Sequence, residues 1–145
     1  ITACLINKGG SRLKIIIPGE PKGKARPRMS TKTGVAYTPK KTIEYENWIK
    51  ECYLLTKDKK RLEGPIRADM KVFYSIPKSI SKKRREEMIK GNIRPTKKPD
   101  VDNIAKIILD SLNAIAYDDD KQIVDCWIEK WYEEESRVEL VLEEV

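Results

Sequence analysis

The sequence predicts an α+β fold, a mixed and mostly antiparallel sheet with helices packed on one side of it. Three observations point there. Strand-like and helix-like stretches do not alternate regularly, as a series of βαβ units would. Residues 66–76 alternate apolar and polar side chains without a break, through Ile66, Ala68, Met70, Val72, Tyr74 and Ile76. The last two strand-like stretches follow each other across a four-residue gap and read as a hairpin. With 145 residues and no internal repeat, the chain is read as one domain over 11–145 behind a disordered leader over 1–10.

Taken in order, LKIIIPG at 13–19 is a short buried strand stopped by Pro18-Gly19. Residues 20–37, rich in Lys, Arg, Pro and Gly, form an extended arm or hairpin that turns at Gly34. Thr38 caps the next helix, with Pro39 in its first turn. Tyr45, Trp48, Ile49, Cys52 and Leu55 recur at helical spacing and make it an amphipathic packing helix. After the 66–76 strand, Ser79 or Ser81 opens a short charged helix that Gly91 closes. Another helix starts near Asp102, capped by an aspartate, with Ile104, Ile107, Ile108, Ser111, Leu112 and Ile115 on one face. Two strands follow, over about 122–132 and 137–144. Val124, Cys126 and Ile128, then Val138, Leu140 and Leu142, supply their inward faces.

Charge is divided unevenly. Residues 1–99 carry 26 Lys and Arg against 9 Asp and Glu, whereas residues 100–145 carry 4 against 14. A +17 body therefore meets a −10 tail within a net charge of +7. The body attracts polyanions, and grouped carboxylates repel them unless a cation intervenes. A metal-dependent enzyme acting on nucleic-acid phosphates resolves that conflict most simply. There is no histidine, so acid–base or metal chemistry must run on carboxylates, Lys, Tyr or water. Cys4, Cys52 and Cys126 are too widely spaced for a zinc site and read as reduced cytosolic thiols, the last two in the core. No apolar run approaches the roughly 20 residues needed to cross a bilayer, and the start lacks a secretory layout. A cytoplasmic protein with no membrane partner and no small-molecule cofactor is expected.

The carboxylates gather in 100–120. Asp102, Lys106 and Asp110 fall on the polar side of the helical wheel at i,i+4 steps, and Asp100 lies two residues before Asp102. Asp100 and Asp102 can aim at one point, and two carboxylates with phosphate oxygens make an ordinary Mg²⁺ site. Lys106, one turn along, could hold a scissile phosphate. A solvated ion-pair ladder explains the helix alone equally well, but not the Asp118-Asp119-Asp120 run beside a body that needs an anionic partner. Asp118, Asp120, Gln122 and Glu129 imitate a calcium-binding EF-hand loop, yet its turn glycine is Ile123 here.

Asp100-Val101-Asp102-Asn103, Lys106, Asp110-Ser111-Leu112 and Asp119-Asp120-Lys121-Gln122-Ile123 together resemble the RusA family of Holliday-junction resolvases. Its pattern is D-x-D-N with a following lysine, a D-A-L-type helix and a D-D-x-Q-[IV] segment. GKARPR at 23–28 and YTPKKTIEYE at 37–46 resemble the front half of the same family, so the likeness runs from about residue 14 to the end. Ser111 stands where the family usually has alanine. The resemblance implies a RusA-like nuclease domain, four-way junction DNA as substrate, and a two-fold homodimer. It also implies Asp100, Asp102 and Asp120 as the metal-binding catalytic carboxylates, for Mg²⁺ or Mn²⁺, and Lys106 as the essential lysine. Asp119 and Asp110 are then further metal or supporting ligands.

Lys22, Lys24, Arg26 and Arg28 alternate, and in a chain held extended by Pro21 and Pro27 they would form one cationic stripe suited to a phosphate backbone. Arg94, Lys97 and Lys98 precede the carboxylates and could guide the substrate strand; Lys82-Lys83-Arg84-Arg85 read better as helix surface pairs with Glu86 and Glu87. Nothing resembles a reader of base edges, so binding directed by DNA shape is expected.

Asp120 poses a geometric problem. A helix over 102–116 would carry the chain about 21 Å from Asp102, and four residues return at most about 13 Å. Either the helix ends near Asn113, the preferred solution, or Asp120 completes the site of a second subunit. Leu109, apolar on the polar side of the wheel, is a candidate for that interface. Two other functions fit the residues: a non-catalytic DNA-binding protein, and a metal-dependent nuclease for other branched DNA or for RNA.

Overall fold

A computed structural model of the chain describes residues 10–145; the leader expected over 1–10 lies, Gly10 apart, outside them. Strand β1 (Arg12–Pro18) alternates exposed and buried residues, with Leu13, Ile15 and Ile17 inward. The arm that follows folds into a two-stranded ribbon, β2 (Arg28–Met29) against β3 (Ala36–Tyr37), across a turn where Gly34 adopts φ +69°. Helix α1 (Lys40–Leu54) starts one residue later than expected, at Pro39, with no side-chain cap. It buries Thr42, Tyr45, Ile49, Cys52 and Tyr53, while Leu55, expected on the packed face, lies beyond the helix end and is exposed.

Strand β4 (Ile66–Ser75) confirms the unbroken alternation. Helix α2 (Lys82–Ile89) is capped by Ser81, whose Oγ accepts the Arg84 amide, and ends before Gly91 at φ +83°. Helix α3 (Val101–Ser111) starts at Asp100, two residues before the expected aspartate, and buries Ile104, Ile107, Ile108, Leu109 and Ser111. A short 3-10 turn, Asp120–Gln122, leads into β5 (Ile123–Glu133), and β6 (Arg137–Glu144) completes the chain.

The sheet order is β1-β6-β4-β5, with β4 and β5 parallel and the other pairs antiparallel. This is the expected mixed, mostly antiparallel sheet, but its last two strands are not a hairpin. β4 lies between them, paired on one side with β5 and on the other with β6. Burial explains the choice: β4 is the most regularly apolar strand and takes the centre, where both its edges are hydrogen-bonded. β5 is left at an edge, so Val124 and Cys126 are exposed rather than inward, and Cys126 is not a core thiol. Ile128 and Tyr132 are partly buried against the core.

Helices α1 and α3 cover the face formed by Leu13, Ile15, Ile17, Ala68, Met70, Val72, Val138, Leu140 and Leu142. Leu109 belongs to this core at 8% exposure and is not a surface residue open to a partner; its carbonyl accepts the Tyr117 hydroxyl at 2.6 Å, and Tyr117 is itself fully buried. Truncating Ile108, fully buried in α3, to alanine should cost about 2–5 kcal/mol of unfolding free energy. The same change at Val124, 59% exposed, should stay within about 0.5 kcal/mol in urea unfolding.

Candidate active site

Helix α3 stops after Ser111 because the chain turns left-handed at Ala114, φ +63°. Its return is tied by the Asn113–Tyr117 bridge, by the Ala114 amide on the Asp118 carbonyl, and by Asn113 Oδ1 accepting the Asp120 amide at 2.8 Å. The early helix end therefore brings Asp120 back to its own helix. It arrives at Asp110, about 12 Å of helical rise from Asp102.

There the Asp120 carboxyl lies beside those of Asp110 and Asp119. The contact with Asp110, then partial burial, then Asp119 push its carboxyl up to about 6. Asp119 is moved the other way. The Lys121 amide donates to its Oδ1 at 2.9 Å and holds its pKa below the usual aspartate value. The three acids crowd Tyr117 as well, whose phenol is raised first by burial and then by their charge. Two neighbouring acids with opposite shifts are a common mark of a reactive site.

The loop is held from below by Gln122, whose Oε1 accepts the amides of Asp118 (2.9 Å) and Asp119 (3.0 Å) while its Nε2 reaches the Gly64 carbonyl at 3.1 Å. Asp118 faces away and pairs with Arg61. On the other side Lys24 Nζ sits 3.3 Å from Glu46 Oε2 of α1 and 3.9 Å from Asp110 Oδ2. The arm is fixed there by the Lys24 amide on the Asn103 carbonyl (3.0 Å), and Gly23 packs so closely that a Cβ would lie 2.9 Å from those of Pro99 and Asn103.

Asp100 and Asp102 stand exposed at the start of α3, with Lys106 exposed one turn on. The chain before Asp100 is held by the Tyr74 hydroxyl on the Pro99 carbonyl at 3.3 Å. Burial raises Tyr74 to about 12, with Glu20 and Asp100 adding to it. Asp120 thus joins Asp110 and Asp119. Among the described residues, no three Asp, Glu or Cys side chains, Asp100 and Asp102 included, are grouped so as to hold one metal ion. Glu46, Asn113 and Tyr117 escaped sequence reasoning because their partners lie 22, 7 and 8 positions away or are backbone atoms.

The cationic stripe is not uniform. Lys22, Arg26 and Arg28 are exposed, but Lys24 turns inward to the acids. Lys22 and Arg28 share a depression of about 490 Å³ with Lys40 and Lys41, a basic surface that sequence reasoning credited only in part. Arg94 stacks 3.5 Å from the Trp131 ring and donates to the Lys130 carbonyl at 2.6 Å. Lys97 lies over the Tyr74 ring at 5.2 Å, and Lys98 is exposed.

The family model for Endodeoxyribonuclease RusA matches residues 18–143, which include the arm, the α3 carboxylates and the acidic loop. The chain belongs to the RusA endodeoxyribonuclease family. It is also 39% identical over 137 residues to the uncharacterized protein YqaN of Bacillus subtilis (strain 168), spanning 92% of this chain and 96% of that one. Membership in RusA agrees with the fold and with the composition of the site. No helix among the described residues is long and apolar enough to cross a membrane.

The raised Asp120 acid carries a linkage consequence. An aspartate ionising near 6 when folded, against 3.8 ordinarily, stabilises the fold below pH 3.8 and loses that contribution as pH rises through about 6. Asp120→Asn should therefore raise the melting temperature at pH 7.5 and flatten its fall between pH 4 and 7. Scanning calorimetry across that range, with EDTA present, measures it.

Proposed function

We propose that this protein is a divalent-metal-dependent endonuclease that resolves Holliday junctions by paired, symmetric phosphodiester cleavage during recombination and repair. It would act in the cytoplasm as a homodimer, because two symmetry-related strands must be cut. The observation that carries this reading is the contact of Asp120 with Asp110 and Asp119, beside a basic arm, in a chain of the RusA family.

Carboxylate oxygens are the hard donors that Mg²⁺ takes, and one or two of them with phosphate oxygens suffice. Asp110 and Asp120 fit that description, since two neighbouring acids that raise each other's pKa favour a cation that lets both ionise. Asp119 would add an oxygen from the loop, for Mg²⁺ or Mn²⁺, whereas Asp100 and Asp102, about 12 Å or more of helical rise from Asp110, would reach only an ion held separately at the helix start. A bound ion of this kind supplies a water of lowered pKa and neutralises charge on the attacked phosphate.

The chain's own groups do the rest. Lys106, between Asp102 and Asp110 on the exposed side of α3, offers its ammonium to the scissile phosphate. Lys22, Arg26 and Arg28, with Lys40 and Lys41, follow the phosphate backbone, and Lys97 and Lys98 lie where the strand would pass Asp100. Lys24 balances Asp110 and Glu46 and fixes the arm at the site. None of these groups selects a base, so the four-way shape of the substrate directs binding.

Purified protein should nick a mobile four-way junction symmetrically in Mg²⁺, leave the matched duplex intact, and do neither in EDTA. Binding without any metal-dependent cutting would favour a DNA-binding protein instead, and equal cutting of flaps or RNA a nuclease of other specificity. Asp102→Asn should lower cleavage at least about a hundredfold and leave junction binding equal or tighter, read by gel shift, because phosphate repulsion falls. Mixing Asp102→Asn with Asp120→Asn chains should restore no activity if each chain builds its own site; recovery would mean that the carboxylates are shared between subunits.

A further inference from the structure

The ribbon of β2 and β3 stands out from the body of the protein. From Arg26 to Tyr37 every residue except Ser30 is exposed. Met29, Val35 and Tyr37 are among them, at 66%, 63% and 49% exposure. A two-stranded ribbon in water is marginal by itself, but this one is knit together at its tip. Ser30 Oγ accepts the Lys32 and Thr33 amides at 3.3 Å, and the Ser30 carbonyl accepts the Gly34 amide at 2.9 Å. Its root is pinned by the Lys24 amide on the Asn103 carbonyl and by the close seat of Gly23. The ribbon is therefore shaped before any partner arrives.

The register sorts its two faces. Arg28 lies opposite Tyr37, and the next pair inward to the turn is Ser30 with Val35. These four share one face, while Met29 and Ala36 take the other. The Arg28 and Tyr37 face borders the depression of about 490 Å³ that Lys22, Lys40 and Lys41 also line, and no carboxylate is among its lining residues. An exposed aromatic ring thus stands amid four cations.

The cations alone would serve any phosphate backbone, duplex or branched. The ring adds a flat apolar surface on which a base face can stack. In an unbroken duplex each base face is covered by its neighbours, and opening a step costs stacking energy. At a branch point the stack is interrupted, and a base there is reached at much lower cost. The rim of positive charge also selects the occupant. It favours nucleic acid over a second copy of a chain that itself carries +7.

We infer, taking junction DNA as the substrate proposed above, that Tyr37, with Val35 beside it, stacks on an open base face at the branch point and so distinguishes a junction from a duplex. The phosphates flanking that base lie on Lys22, Arg28, Lys40 and Lys41. The ribbon leaves the acidic site at Lys24, 3.9 Å from Asp110, and returns into α1, whose Glu46 stands 3.3 Å from the same lysine. A base seated on Tyr37 therefore also fixes which phosphate reaches the carboxylates.

Gel-shift titrations of the full chain in EDTA, where no strand is cut, compare a four-way junction with a duplex of the same arm sequence. Tyr37→Ala should weaken junction binding about tenfold and duplex binding less than about twofold. Tyr37→Phe, which keeps the ring, should stay within about twofold of wild type on both, and Lys40→Ala should weaken both alike. Because Tyr37 is half exposed, thermal melts should show each variant folded. A 5-iodouracil at the branch point should photo-cross-link to the peptide containing Tyr37, and one in the middle of an arm should not. Equal loss on junction and duplex in Tyr37→Ala, no loss at all, or a wild type that binds the two DNAs equally would overturn the inference. So would a fall in sedimenting mass of the DNA-free Tyr37→Ala protein, which would give the ribbon to a second copy. Junction nicking in Mg²⁺ can fail with this binding pattern intact, so the two readings fall separately.

Discussion

The site depends on α3 ending where it does. A helix of apolar face Ile104, Ile107, Ile108 could continue through Ile115 on pattern alone. It is stopped by a left-handed residue at Ala114 and by side chains that reward the reversal: Asn113 takes the Asp120 amide, and buried Tyr117 closes on the Leu109 carbonyl. A buried hydroxyl without that partner would cost about 1–3 kcal/mol, so the reversal and the burial of Tyr117 support each other. Loop and helix are thereby locked with Asp120 beside both Asp110 and Asp119.

Holding like charges together is unfavourable unless something compensates. The compensation visible in the chain is a backbone amide on Asp119 and the Lys24 ammonium beside Asp110, and the crowding that is left raises the Asp120 carboxyl to about 6. The amide and the ammonium each stand where positive charge is wanted. The arm, which from its composition belongs to the DNA-binding surface, thus also belongs to the acidic one. Gly23 is required for this arrangement because only a residue without Cβ lets the arm lie against Pro99 and Asn103.

What the sequence made legible was local. The β4 alternation, the Ser81 cap, the Gly34 and Gly91 turns and the polar stripe of α3 all follow from residues within a few positions of one another, and all are found. What it hid was decided at a distance. The apolar alternation of Val124 and Cys126 looks like that of a central strand, but β4 outcompetes β5 for the centre of the sheet, and the apparent terminal hairpin opens around it. Leu109 falls on the polar side of a wheel drawn for an isolated helix, yet it is buried in the core, with Tyr117 closing on its carbonyl. For the site, Asp110, Asp119 and Asp120 were within reach of motif reasoning. Which acid would touch which was not, because that rests on the position of the helix end and on Lys24 and Glu46, remote in sequence from both.

The strand order also bears on how the chain can acquire its fold. β1 has one neighbour in the sheet, and that neighbour is β6, the last strand to be made. On a ribosome, Leu13, Ile15 and Ile17 must wait for more than 120 further residues before their backbone finds its mate, with helices to shelter them meanwhile. Such distant pairing slows folding and lengthens the exposure of sticky intermediates. Loss of β6 residues would accordingly strike at β1, freeing that strand rather than merely fraying the one cut.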